Sequence, residues 1–164
     1  MSYIKNTDPN YFIDHQTESN CGSYAFNIQG WYDPEFALFL DTGSIEEWIV
    51  ELVQEGWSDE EISELYSDSL VNSILSDFEG EIEEVNCTYH PSADEELIAF
   101  RTYCVGDGID EWADWDFHFK VFRDGLWMEK CGRDPVQFCL EDEWQYGIRS
   151  YISNTVYFAH KISK

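Results

Sequence analysis

Hydrophobic positions alternate most strictly between residues 115 and 131. Trp115, Phe117, Phe119 and Val121 share one parity, Asp116, His118, Lys120 and Phe122 the other; Asp124-Gly125 interrupts the run and Leu126-Trp127-Met128 resumes it. A period of two broken by Asp-Gly predicts a β-hairpin closed by a two-residue loop. That loop pairs Phe122 with Trp127, Lys120 with Glu129 and His118 with Cys131. The large apolar set then faces a core. His118 points to the opposite face, where Glu129 lies diagonally across the hairpin within reach of a long side chain.

Before the hairpin the period is helical. Ser44-Ile45-Glu46-Glu47 and Ser58-Asp59-Glu60-Glu61 each place a serine cap three residues ahead of a glutamate. Apolar stripes follow at Trp48, Ile49, Leu52 and Val53, at Ile62, Leu65 and Tyr66, and at Leu70, Val71, Ile74, Leu75 and Phe78, with Gly56 and Gly80 as stops. Three short amphipathic helices are predicted. A further short helix is expected in Asn20–Gly30, closed by Gly30, with Cys21 at its start. Residues 1–20 read as an extended lead-in and Trp31–Thr42 as an irregular link.

From Glu81 the period changes to two. Val85, Cys87 and Tyr89 alternate, Leu97–Val105 forms a second strand, Gly106-Asp107-Gly108 turns the chain, and an acidic loop at Asp110–Asp114 leads into the hairpin. After Asp134-Pro135 the pattern weakens, and Thr155–Ala159 forms a last strand. Helices followed by a mostly antiparallel sheet predict an α+β fold. A chain of 164 residues fits one domain, with a helical part at about 20–80 and a sheet part at about 81–164.

Charge narrows the partners. Nine Lys and Arg against 34 Asp and Glu give −25, and Lys5 is the only basic residue before Arg101. Such a surface repels nucleic acid and anionic membranes and attracts basic proteins. Seven Trp, ten Tyr and eleven Phe supply core material that a disordered acidic chain lacks. No run approaches the ~20 apolar residues of a membrane span, and Met1–Lys5 has no signal-peptide pattern, so a soluble, cytoplasmic protein is expected. The five cysteines are odd in number and lack paired ligand spacing, which suggests neither a disulfide framework nor a zinc site. No Gly-rich phosphate loop points to a nucleotide, and no cofactor is expected.

The remaining chemistry is nucleophilic. A cysteine at a helix start gains from the backbone N–H groups there, which favour the thiolate. Cys21, His118 as base and Glu129 as orienter supply the three roles of a thiol hydrolase. Asp116, Asp134 and Asn154 stand as alternative orienters. Cys131 reads as packing, and His15, His90 and His160 are assigned no chemistry.

Asn20-Cys21 with Tyr24-Ala25, then Asp116-Phe117-His118-Phe119, then Asp124-Gly125 with Trp127 and Lys130-Cys131-Gly132, resembles a group of mostly uncharacterised bacterial and phage proteins. Their pattern runs Asn-Cys-x-x-Tyr-Ala, Asp-Tyr-His-Phe and Asp-Gly-x-Trp-x-His-Lys-x-Gly, and they look like distant papain-like or NlpC-type cysteine hydrolases. The resemblance covers the Cys21 segment and residues 116–136, with an echo at Val156-Tyr157-Phe158; the acidic helices lie outside it. Glu129 stands where the group has histidine, a change that an orienting role tolerates. The resemblance implies a papain-like fold with Cys21 and His118 catalytic, and Gln16, by position, as the glutamine of the oxyanion hole.

Two functions follow. One is a peptidase, amidase or acyltransferase using Cys21 and His118 on a protein or peptide substrate; −25 of charge disfavours polyanionic cell-wall polymers and favours a cationic substrate. The other is a non-catalytic protein whose acidic helices between Ser44 and Glu84 bind a basic, nucleic-acid-handling protein, in the manner of phage DNA mimics and inhibitors of host defence, acting in the host cytoplasm.

Overall fold

The computed structural model describes residues 3–39, 43–105, 114–144, 150–151 and 154–162. Among the described residues four α-helices, α1 (Tyr11–Asp14), α2 (Cys21–Phe26), α3 (Ile45–Gln54) and α4 (Asp59–Asp77), precede seven strands. These are β1 (Ile82–Val85), β2 (Glu95–Val105), β3 (Asp114–Arg123), β4 (Leu126–Lys130), β5 (Val136–Phe138), β6 (Ser150–Tyr151) and β7 (Val156–Lys161). The sheet runs β1-β7-β2-β3-β4-β5, every pairing antiparallel, with β6 beside the far end of β2. The chain is therefore α+β.

The hairpin register is the one its alternation predicts: Lys120 opposite Glu129, Phe122 opposite Trp127. Asp124 and Gly125 both take positive φ, 54° and 80°, the backbone that a two-residue loop between right-twisted strands requires. β4 ends at Lys130, so Cys131 falls just past the ladder rather than within it. Phe117, Phe119 and Val121 enter the core, where Phe119 packs on Phe100 and Phe26 at ring-centroid distances of 4.8 and 5.4 Å. The other face is buried as well. The chain from Leu140 to Trp144 folds over it: Lys120 donates to the carbonyls of Leu140 and Glu143 and sits 4.4 Å above the Trp144 ring, and His118 meets the same ring edge-on at 6.0 Å.

Several elements differ from the sequence pattern. Two helices, not three, occupy residues 44–80. Ile62, Tyr66, Leu70 and Ile74 recur every four residues without an intervening breaker, so the second and third stripes are one face of a single 19-residue helix. Its cap is the reciprocal box formed by Ser58 and Glu61; at α3 the Ser44 hydroxyl accepts from the Glu47 N–H. Helix α2 stops at Asn27, which takes the left-handed conformation (φ 52°) before Gly30 can serve as the stop. The lead-in holds α1 and a 3₁₀ turn at Gln16–Glu18 instead of extended chain, because Tyr11 and Phe12 bury against each other and Phe12 packs on Tyr24. A second 3₁₀ segment, Pro34–Phe39, forms in the link. β1 ends at Val85, before Cys87 and Tyr89. The Gly106–Gly108 turn and most of the acidic loop lie outside the described residues. Among the described residues no helix is long and apolar enough to cross a membrane.

Candidate active site

Helix α2 is short, and its position comes from both ends being tied to the hairpin. At its start the Asn20 side chain accepts from the N–H groups of Ser23 (3.0 Å) and Tyr32 (3.1 Å), while Ser23 Oγ accepts from the Asn20 N–H. The Asn20 amide also donates to the Tyr32 carbonyl at 2.6 Å, so one side chain joins helix and link. From β4 the buried Lys130 ammonium donates to the carbonyls of Gln16, Ser19 and Gly132. From β3 Arg123 donates to the Tyr24 and Ala25 carbonyls while bound through two nitrogens to Glu96. Gly22 lets the helix lie this close: a Cβ there would stand 2.7 Å from the Tyr32 ring and 3.3 Å from that of Phe119.

These ties bring the two ends of the motif together. Cys21 and His118 line one cleft of about 540 Å³, together with Trp31, Asp33, Glu35, Asp116 and Asp134 on its walls. The Cys21 sulfur lies against the backbone N–H of Phe119, the residue that follows His118 on β3, and against that of Gly22. Cys21 is nonetheless buried, and burial pushes its thiol up to about 12 against the pull of those N–H groups. The helix start does not make a resting thiolate: loss of hydration exceeds what a six-residue helix returns.

His118 is held by Glu129. The Nε2 nitrogen and Glu129 Oε2 are 3.1 Å apart, both residues are buried, and Gln137 donates to Oε1 from 3.1 Å. Burial raises the Glu129 carboxyl, but the hydrogen bonds from His118 and Gln137 and the nearby Lys120 outweigh it and leave it below the ordinary glutamate value. Burial pulls His118 below the ordinary imidazole value despite Glu129. The resting pair is an ionised carboxylate accepting from the Nε2–H of a neutral ring, with the basic lone pair on Nδ1. Of the candidate orienters, Glu129 is thus hydrogen-bonded to the His118 ring. Asp116 instead accepts from Tyr103 and the Phe117 N–H, Asp134 lines the cleft, and the exposed Asn154 is not among its lining residues.

Gln16 departs from its expected place. Its amide donates to the Arg133 carbonyl at 3.2 Å and it is not among the cleft residues. Pattern reading also missed the cleft carboxyls from the link. Glu35 is buried, accepts from the Tyr66 hydroxyl, and is pushed up to about 8 chiefly by burial, with Asp33 and Asp116 adding to the shift. Asp33 is raised by burial too. Neither follows from spacing, because the 3₁₀ segment that carries Glu35 has no periodic signature. Gln137 and Cys139, which surround Glu129 from β5 and the turn after it, were also missed; the β4–β5 register places Gln137 directly opposite Glu129.

Set against family models, curated proteins and solved structures, the chain matches none of them.

Proposed function

We propose that the protein is a thiol acyl hydrolase or acyltransferase of papain-like or NlpC-like design, in which Cys21 is the nucleophile, His118 the base and Glu129 the group that orients the base. One observation carries this reading: Nε2 of His118 is occupied by a buried carboxylate while the Cys21 sulfur rests on the next residue of the same strand, in the wall of a shared cleft.

Because both partners rest neutral, proton transfer accompanies attack instead of preceding it. Nδ1 of His118 takes the thiol proton as sulfur adds to the carbonyl, Glu129 stabilises the imidazolium through Nε2–H, and the N–H groups at the start of α2 face the developing oxyanion. The ring then returns the proton to the leaving group, and water or an acceptor nucleophile releases the acyl group from sulfur. The carboxyls of Asp33, Glu35, Asp116 and Asp134 on the cleft walls favour a cationic substrate such as a lysine- or arginine-bearing peptide. A positive group entering there would draw Asp33 and Glu35 into their ionised forms.

The test is acylation of the intact protein by p-nitrophenyl acetate at pH 7, followed by mass spectrometry of each cysteine. A burst of one equivalent on Cys21, absent in Cys21→Ser and slowed by about 100-fold or more in His118→Ala, is expected. A folded protein whose Cys21 is not acylated, or reacts equally fast without His118, would overturn the proposal. N-acetyl-lysine and N-acetyl-glutamate thioesters compared in the same assay read the charge preference.

A second reading has its own support. Val50, Val53 and Trp57 are exposed on and just after α3, amid Glu46, Glu47, Glu51 and Glu55. Apolar side chains ringed by acids suit docking of a basic protein. Binding through this face would weaken steeply with salt and persist in Cys21→Ser.

A further inference from the structure

The group around Glu129 contains more than an orienting carboxylate needs. His118, Glu129 and Cys131 each offer one donor atom, and the three atoms lie within 4.8 Å of one another. Nitrogen, carboxylate oxygen and sulfur together are the donor types of zinc, and neither magnesium nor calcium selects such a set. The donors are also close. His118 Nε2 stands 3.1 Å from Glu129 Oε2, and Cys131 Sγ stands 3.7 Å from the other carboxylate oxygen, Oε1. Tetrahedral zinc with bonds of roughly 2.0–2.3 Å holds its donors about 3.3–3.6 Å apart, so binding draws the three atoms, now within 4.8 Å of one another, slightly closer.

Access and support are both present. His118 and Cys131 line the 540 Å³ cleft, while Glu129 lines a second one of about 330 Å³ with Gln137 and Cys139, so the donors stand between two openings. Gln137 fixes the Glu129 carboxylate as an outer partner would.

We propose that His118, Glu129 and Cys131 form a binding site for a zinc-class divalent cation, completed by one water. Binding makes one bond each to Nε2, to the Glu129 carboxylate and to Sγ. The Cys131 thiol proton leaves to solvent, and the His118 ring proton passes from Nε2 to Nδ1. If the Cys21–His118 reading above is right, that shift has a regulatory result, since a protonated Nδ1 cannot accept the Cys21 proton. The filled site and the active base are then mutually exclusive.

The first experiment needs no variant. Metal-stripped protein is treated with iodoacetamide with and without one equivalent of Zn²⁺, and each cysteine is followed by mass spectrometry. Cys131 is expected to react at least about tenfold more slowly with zinc, exposed Cys87 to be unchanged, and Mg²⁺ to protect neither. Co²⁺ should give a thiolate charge-transfer band that Cys131→Ser removes, and Glu129→Gln should weaken zinc binding about 100-fold or more, beyond the 10–100-fold typical of an outer partner. Unprotected Cys131, or zinc binding that Cys21→Ser abolishes and Cys131→Ser leaves intact, would overturn the site. The regulatory clause is read separately: zinc should suppress acylation of Cys21 in the parent and not in Cys131→Ser. Zinc protection of Cys131 with no Cys21 acylation under any condition would leave the metal site standing and remove the catalytic reading.

Discussion

Two buried glutamates flank the cleft and carry opposite charge states. Glu129, on the hairpin, accepts from His118 and Gln137 and is held below its ordinary value; Glu35, on the 3₁₀ segment, has the Tyr66 hydroxyl as donor, faces Asp33 and Asp116, and is raised to about 8. Their exposure is nearly equal, 3 % and 9 %. Burial raises both carboxyls and is the chief cause at Glu35; at Glu129 the donors and the nearby Lys120 outweigh it. Glu129 can stabilise a positive imidazole at neutral pH.

Removing the donor-rich carboxylate should have the largest effect. Glu129→Ala leaves the His118 Nε2–H without its acceptor in a buried space, and a loss of about 1–3 kcal/mol in urea-unfolding free energy is expected. Glu129→Gln keeps the volume and one acceptor, and should lose less. Equal losses would mean that packing and not charge sets the cost.

At the donor-poor end the sign reverses. The folded-state value of Glu35 is raised from 4.5 to about 8, so the folded state binds the extra proton and stability falls as pH rises between those values. Glu35→Gln should therefore flatten that decline, raising the unfolding free energy above pH 8 while changing it little below pH 4.5. A variant that is less stable at pH 9 than the parent would show that Glu35 is stabilised as an anion.

Smaller changes sharpen the contrast. Tyr66→Phe withdraws the hydroxyl donor of Glu35 and should cost about 1 kcal/mol, more at pH 9 than at pH 5 because the ionised form loses more. Gln137→Ala removes one of the donors to Glu129 and should cost about 0.5–1.5 kcal/mol, with Cys21 acylation slowed less than in Glu129→Ala. If Tyr66→Phe proved pH-independent, the hydroxyl would not be what partly ionises Glu35.

The sequence exposes the hairpin well and the cleft poorly, for one reason. Alternation from Trp115 to Val121 and the Asp124-Gly125 loop specify register locally, and register places Glu129 beside His118 without reference to the rest of the chain. Glu35, Asp33 and Trp31 reach the same cleft through a 3₁₀ segment whose placement depends on Asn20, Tyr32 and Tyr66, contacts that no short-range pattern records. Gln16 shows the reverse error: its position relative to Cys21 suits an oxyanion donor, but Lys130 and Arg133 bind the turn that carries it. The thiol of Cys21 illustrates a limit of helix-start reasoning, since it lies against the N–H groups of Gly22 and Phe119 and is buried too deeply for them to prevail.

The two cations that fasten α2 have a bearing on biosynthesis. Lys130 lies 111 residues beyond Ser19, and Arg123 lies 99 beyond Tyr24. At about 5–20 residues per second, the helix that carries Cys21 is made roughly 5–20 s before its anchors. A nascent chain stalled short of residue 123 holds the Cys21 thiol without either anchor.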